Sequence, residues 1–147
     1  MKFPKSYSLK EIAEIIKEAN EKNIPVTVSG ARTGLVGGCV PFGGYLISLE
    51  KFNQIKSIKE NSAVVQAGVF LADFQKETEA KGLFYPPDPT EWSCQIGGTI
   101  ATNASGARSF KYGATRNFVE ELQIVLASGE ILNLKRGEIF SENGSIE

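Results

Sequence analysis

Glycine is concentrated in two stretches. Ser29-Gly30-Ala31-Arg32-Thr33-Gly34-Leu35-Val36-Gly37-Gly38 and Gln95-Ile96-Gly97-Gly98-Thr99-Ile100-Ala101-Thr102-Asn103-Ala104-Ser105-Gly106 together hold seven of the chain's 15 glycines. Glycine loses more backbone entropy on folding than any other residue, so clustering it makes sense where the chain needs positive φ or where something must touch the backbone itself. The chemistry such a loop offers is anion binding, because successive N–H groups converge into a concave nest that holds phosphate. A hydrogen bond to a charged group contributes about 1.5–3 kcal/mol, whereas an exposed ion pair contributes about 0–1 kcal/mol. Several converging N–H groups therefore outweigh a surface cation. Arg32 is then auxiliary, either steering a diphosphate or lying solvated on the loop. The Thr33 hydroxyl either caps a phosphate oxygen or stabilises the turn.

Spacing separates this arrangement from the two commonest phosphate loops. A dinucleotide fold of the Rossmann type needs G-x-G-x-x-G between a strand and a helix, but the glycines at 30, 34, 37 and 38 are spaced differently and Pro41-Phe42-Gly43-Gly44 follows. A P-loop needs G-x4-G-K-[ST], with lysine on the terminal phosphates, and no lysine stands at the required place. A pair of strand-joining turns is the plain structural alternative. The stiff Pro86-Pro87-Asp88-Pro89 between the two stretches argues for a shared site.

Other chemistry is scarce. There is no histidine, the commonest acid/base near neutral pH and the commonest transition-metal ligand. Cys39 and Cys94 lie far apart, in no CxxC or zinc-ligand spacing, and read as reduced thiols, Cys94 as a small buried filler. No metal site is signalled, and a bound organic cofactor would have to supply reactivity. The net charge of −1 comes from scattered charges, which offers no basic field for nucleic acid or anionic lipid. No apolar run has the length of a membrane span, and Met1 to Ser6 leads into a polar amphipathic helix rather than a signal segment. The expected location is cytoplasmic.

The elements that position the two stretches follow from local signals. Ser8-Leu9-Lys10-Glu11 matches a capping box, with Tyr7 and Ile12 placed as a hydrophobic staple, and predicts a helix from about Leu9. Asn23 suits a left-handed position after the helix, and Pro25 starts a short buried strand through Val28. The first glycine stretch follows, then a strand over Tyr45-Leu46-Ile47-Ser48. Ala63 to Ala67 reads as another strand. Leu71 to Lys81 reads as a helix with Leu71, Phe74 and Thr78 on one face, ended by Gly82. Glu121 to Leu126 and Glu130 to Leu134 flank Ala127-Ser128-Gly129 as a hairpin. The stretch from Lys135 to Glu147 has no periodicity, and the second glycine stretch reads as a loop.

The two glycine stretches, Pro86-Pro87-Asp88-Pro89-Thr90 and Lys111-Tyr112-Gly113 occur in an order that resembles the flavin domain of FAD-linked oxidases. More narrowly, the chain resembles the D-lactate dehydrogenase and glycolate oxidase flavin-subunit branch of the vanillyl-alcohol oxidase / p-cresol methylhydroxylase superfamily, from about residue 3 to residue 136. The resemblance implies an α+β fold with two small α/β subdomains holding FAD between them. Residues 1–67 would form the first subdomain and 68–147 an incomplete second one.

The resemblance also implies a set of cofactor contacts. Ser29, Gly30, Ala31, Arg32, Thr33, Gly34, Leu35, Gly37 and Gly38 would hold the diphosphate, with Pro87, Asp88 and Pro89 shaping the neighbouring wall. Gly97, Gly98, Ala101, Thr102, Asn103 and Gly106 would line the second side, Asn103 offering both a donor and an acceptor or else closing its own turn, and Tyr112 would approach the flavin ring. FAD would be held non-covalently, since attachment through histidine has no residue to use.

Relatives of this kind continue into a further flavin segment and a cap domain with substrate-binding and acid/base groups. The expectation is therefore a truncated FAD-binding part, inactive and binding FAD weakly or not at all by itself, with no catalytic residue of its own. If the gene is split, the remaining half would be a partner. The implied reaction is oxidation of a small 2-hydroxy acid, of D-lactate or glycolate type, to the 2-oxo acid. The alternatives are a UDP-N-acetylmuramate-forming reductase-like flavoenzyme and a non-catalytic nucleotide-binding module.

Overall fold

A computed structural model describes residues 8–138 and the backbone of residues 141–142 and 145–146. The Tyr7 half of the predicted staple lies outside the described residues. Helix α1 (Leu9–Glu21) starts where the capping signal put it. Ser8 Oγ accepts the Glu11 N–H at 3.2 Å and donates to the Glu11 carboxylate at 2.8 Å. Ile12, Ala13 and Ala19 are buried. Asn23 takes a φ of 50° and Ile24 N–H returns to Ala19 O at 2.7 Å, so the chain turns out of the helix before Pro25.

Strands β1 (Val26–Ser29) and β2 (Tyr45–Ser48) pair in parallel, Val26 opposite Tyr45 and Ser29 opposite Ser48. Parallel neighbours cannot be joined by a tight turn, because the connection must travel back along the strand. Here that connection is residues 30–44, and it contains no helix. The first glycine stretch is thus an arch from the C-terminal end of β1 back to the start of β2. Tyr45 and Ile47 are buried on the inner side of β2.

Strands β3 (Ile55–Ile58) and β4 (Ala63–Val65) form an antiparallel pair with a register shift between Ile55 and Ser57. The sequence patterning predicts β4, over a longer run, and does not predict β3. Ile55-Lys56-Ser57-Ile58 is too short and too polar for its pattern to stand out before its partner is known. Helix α2 (Leu71–Glu79) buries Leu71, Phe74 and Thr78 on one face, and Gly82 follows with a φ of 72°.

The second glycine stretch differs from its expected loop. Ile96–Ala101 is a short helix, α3. Two glycines disfavour helix by about 1 kcal/mol each, yet tertiary contacts override that preference. Ile96 and Thr99 are buried one turn apart. Three backbone bonds clamp the start of α3 to the segment before α2: Leu71 N–H to Cys94 O at 2.9 Å, Ile96 N–H to Val69 O at 2.9 Å and Gly97 N–H to Ala67 O at 2.8 Å. Val69, Leu71, Phe74, Cys94 and Ile96 form the core beneath this clamp, and the Tyr85 ring packs edge-on against Phe74 at 4.9 Å.

Helix α4 (Ser109–Tyr112) and a 3-10 turn (Thr115–Phe118) lead to the predicted hairpin, β5 (Glu121–Val125) and β6 (Ile131–Lys135), with Glu121 opposite Lys135. At its turn Gly129 takes a φ of 84°. A Cβ there would stand 2.8 Å from Ala13 O in α1, so glycine is required both for the turn and for its seat on the helix. Past the hairpin, where no periodicity was expected, β7 (Ser141–Glu142) pairs with β8 (Ser145–Ile146). Among the described residues no helix is long and apolar enough to cross a membrane.

Candidate cofactor site

The arch after β1 leaves its donors free. None of the N–H groups from Gly30 to Cys39 donates to another described residue; the next N–H, that of Val40, closes a turn on Gly37 O at 2.9 Å. A backbone N–H is an obligatory donor, so this run is available to an external acceptor. Arg32, the third residue of the run, has a φ of 62°. Positive φ is uncommon outside glycine. The Arg32 guanidinium lies 3.2 Å from the Glu50 carboxylate, both side chains more than half exposed.

Gly34 and Gly38 have no positive φ, and a Cβ on either would meet nothing within 4 Å. Nothing among the described residues requires glycine there. The open space leaves the backbone of both positions accessible. Leu35 is fully exposed beside them, while Ser29 is buried at the end of β1, its hydroxyl donating to Gly30 O at 3.3 Å.

The two glycine stretches meet at Gly30 and Gln95. Gln95 is 3% exposed, and its Oε1 lies 2.8 Å from the point where Gly30 would carry a Cβ. The clamp on α3 fixes the Gln95 backbone, and the absence of a side chain at Gly30 leaves room for the amide. Neither Nε2 nor Oε1 of Gln95 has a hydrogen-bond partner among the described residues. Burying an amide without partners costs about 1–3 kcal/mol. The sequence pattern assigns Gln95 no role. A polar residue two positions before a glycine pair is an ordinary pattern, and only its burial makes it unusual.

The other predicted residues divide. In the second stretch Gly98 matches Gly34 and Gly38, with open space at its Cβ and no described acceptor for its N–H. Gly97 instead serves packing, since a Cβ would press on Ala67. Ala101 and Thr102 are exposed at the end of α3, and Thr102 donates its hydroxyl to Gly98 O at 2.9 Å. Asn103, with a φ of 47°, spends its side-chain oxygen on the Arg116 N–H at 2.9 Å. That carbonyl ties α3 to the 3-10 turn.

Pro87 is buried, its carbonyl accepting from Gln75 Nε2 at 3.0 Å. The backbone of Asp88 and Pro89 abuts Gly106, and the Asp88 carboxylate pairs with Arg108 at 3.3 Å. The proline segment therefore braces the chain after α3. Tyr112 packs edge-on against Phe84 at 5.6 Å, with Lys111 Nζ over its ring at 4.9 Å. Cys94, directly before Gln95, belongs to the core, and burial raises its thiol pKa.

A run of unpaired loop N–H groups, bare glycine faces on both stretches and an unsatisfied buried amide between them fit a diphosphate flanked by hydrogen-bonding groups. Solved structures share the fold. The chain superposes on 6-hydroxy-D-nicotine oxidase from Arthrobacter nicotinovorans with a TM-score of 0.84 at 20% identity, covering 92% of this chain and 30% of that one. It superposes on alkyldihydroxyacetonephosphate synthase with a TM-score of 0.79 at 24% identity, covering 92% and 28%. The fold is that of an FAD-binding domain of the vanillyl-alcohol oxidase / p-cresol methylhydroxylase type.

The chain belongs to the FAD binding domain family, which it matches over residues 5–135. It is 52% identical over 130 residues to D-lactate dehydrogenase of Anaerostipes hadrus, covering 86% of this chain and 27% of that protein. It is 42% identical over 136 residues to D-lactate dehydrogenase of Archaeoglobus fulgidus, covering 91% and 31%. With glycolate oxidase subunit GlcD of Bacillus subtilis it shares 44% over 126 residues, covering 83% and 27%. The chain thus spans roughly a third or less of the length of these relatives. It is a member of an FAD-linked oxidoreductase family, and FAD is its cofactor.

Proposed function

We propose that this chain grips FAD in an oxidoreductase that converts a small 2-hydroxy acid, of D-lactate or glycolate type, to the 2-oxo acid. The unpaired N–H run from Gly30 to Cys39 carries the reading of the grip. When bound, FAD supplies the two-electron acceptor that the chain's own side chains lack. Ser29 to Gly38 hold the diphosphate, Gly98, Ala101, Thr102 and Asn103 line the opposite side, and Pro87, Asp88 and Pro89 support Gly106 behind it. The names of the relatives, D-lactate dehydrogenase and glycolate oxidase subunit, support the substrate class. No residue of this chain is assigned proton transfer: Arg32 and Asp88, the charged groups of the proposed site, are each held in an ion pair. In this reading the chain binds and orients, is inactive by itself and works in the cytoplasm.

Two measurements test the proposal. Titration of FAD into the natural full-length protein, followed by flavin fluorescence, should show saturable binding that inorganic diphosphate competes away. The natural full-length protein should reduce a dye acceptor with D-lactate or glycolate. Failure to bind FAD sinks the grip, and binding without turnover of any 2-hydroxy acid sinks the substrate class alone.

A further inference from the structure

The Gln95 amide is the one group here whose hydrogen-bonding needs specify a ligand atom by type. Its backbone is fixed by the clamp on α3, it is 3% exposed, and Nε2 and Oε1 are both without partners among the described residues. A primary amide brings two donors on nitrogen and an acceptor on oxygen. A diphosphate at neutral pH carries acceptors only. It could take the Nε2 hydrogens, but it would leave Oε1 buried and unpaired. An aliphatic hydroxyl both gives and takes, and it satisfies the two ends of the amide where a phosphate satisfies one.

We infer that Gln95 is a cofactor-binding residue that recognises a hydroxyl on the carbon chain flanking the diphosphate, of the ribityl or the ribose kind, rather than the diphosphate itself. The inference rests on the reading of Gly30 to Gly38 as the diphosphate loop, since Gln95 lies against Gly30, at the β1 end of that loop. It assigns the two stretches different tasks: backbone donors of the first hold charge, and the side chain before α3 reads the neutral part of the same molecule. It also accounts for Gly30, because any larger residue would occupy the space of the amide.

Gln95→Met keeps the length and bulk of the side chain and removes both polar atoms. The expected signature is opposite in sign for stability and binding. The ligand-free variant should melt higher by roughly 3 °C, because it no longer buries an unsatisfied amide. Its affinity for FAD, measured calorimetrically, should fall about tenfold, while its affinity for inorganic diphosphate stays within about twofold of the parent. Weaker binding of riboflavin 5′-phosphate alone assigns the hydroxyl to the ribityl chain, and weaker binding of ADP alone assigns it to the ribose. Either result supports the inference.

Unchanged FAD affinity, equal loss of diphosphate affinity or a lower melting temperature in the ligand-free variant would each overturn it. A parent protein that binds neither FAD nor diphosphate removes the loop reading and this inference together, which is distinct from a parent that binds both while Gln95→Met changes nothing. Gly30→Ala supplies an independent variant. Its Cβ would stand 2.8 Å from Oε1, so it displaces the amide without deleting it and should weaken FAD in the same direction.

Discussion

The carbonyl oxygen of Asp88 occupies the space where residue 106 would begin a side chain. Backbone meets backbone at this point, and Arg108 holds the same aspartate through its carboxylate at 3.3 Å. Overpacking at a site that cannot yield costs about 1–3 kcal/mol, so Gly106→Ala should destabilise the protein by that amount in a urea melt. The Gly106 N–H, donated to Ser109 Oγ at 2.8 Å, fixes the start of α4 as well. An unchanged melt would mean that the proline segment does not brace α3.

Gly34 is the opposite case. A side chain there meets nothing within 4 Å, so Gly34→Val should leave stability within about 0.5 kcal/mol of the parent, as exposed substitutions generally do. The same isopropyl group would stand between the loop backbone and a bound diphosphate. The FAD affinity of Gly34→Val should therefore drop more than about tenfold, equivalent to at least about 1.4 kcal/mol, as read from flavin fluorescence. Retained affinity would reduce the first stretch to a turn between strands.

The thiols should separate by reactivity. Cys94 is 8% exposed within the core, and burial raises its pKa, which lowers the fraction of reactive thiolate. Cys39 lies on the arch and is partly exposed. Alkylation of the folded protein at pH 8 should modify Cys39 first and Cys94 only as the core opens, and tryptic mass spectrometry distinguishes them. Equal rates would show that the clamp around α3 is loose in solution.

What the sequence revealed depended on whether a signal was local. The start of α1 is written in Ser8 and Glu11, its end in Asn23 and Pro25, and the hairpin turn in Gly129; each is a short-range device whose meaning does not wait on distant residues. Strand β3 and helix α3 were not legible, because Ile55 to Ile58 become a strand only against β4, and Gly97 and Gly98 become helical only through bonds to Ala67 and Val69. The same holds at the proposed site. Gly34 and Gly98 could be proposed from clustering, whereas Gln95 needed its burial against Gly30, a contact across more than sixty positions. Asn103 was legible as polar and turn-prone, and only the bond to Arg116 shows where its carbonyl goes.

Tyr85 carries a pH dependence whose direction can be worked out. Its ring packs between Phe74 and Phe118, at 4.9 and 6.0 Å, and burial pushes its phenol up to about 12 from the usual 10.0. Below pH 10 the phenol is neutral in both folded and unfolded chains, and the group costs nothing. Between about 10 and about 12 the unfolded chain ionises while the folded one resists. Stability is thus fully present below the unfolded value and is lost as pH rises through this window. The loss attributable to Tyr85 is on the order of 2 kcal/mol, since each unit is worth about 1.36 kcal/mol and partial exposure lowers the total. Tyr85→Phe cannot ionise. Lysine deprotonation affects parent and variant alike, so the difference between their urea-melt stabilities should be constant up to about pH 10 and should grow in favour of Tyr85→Phe from there to about pH 12. A difference that stays flat across the window would show that the phenol is solvated in the folded protein.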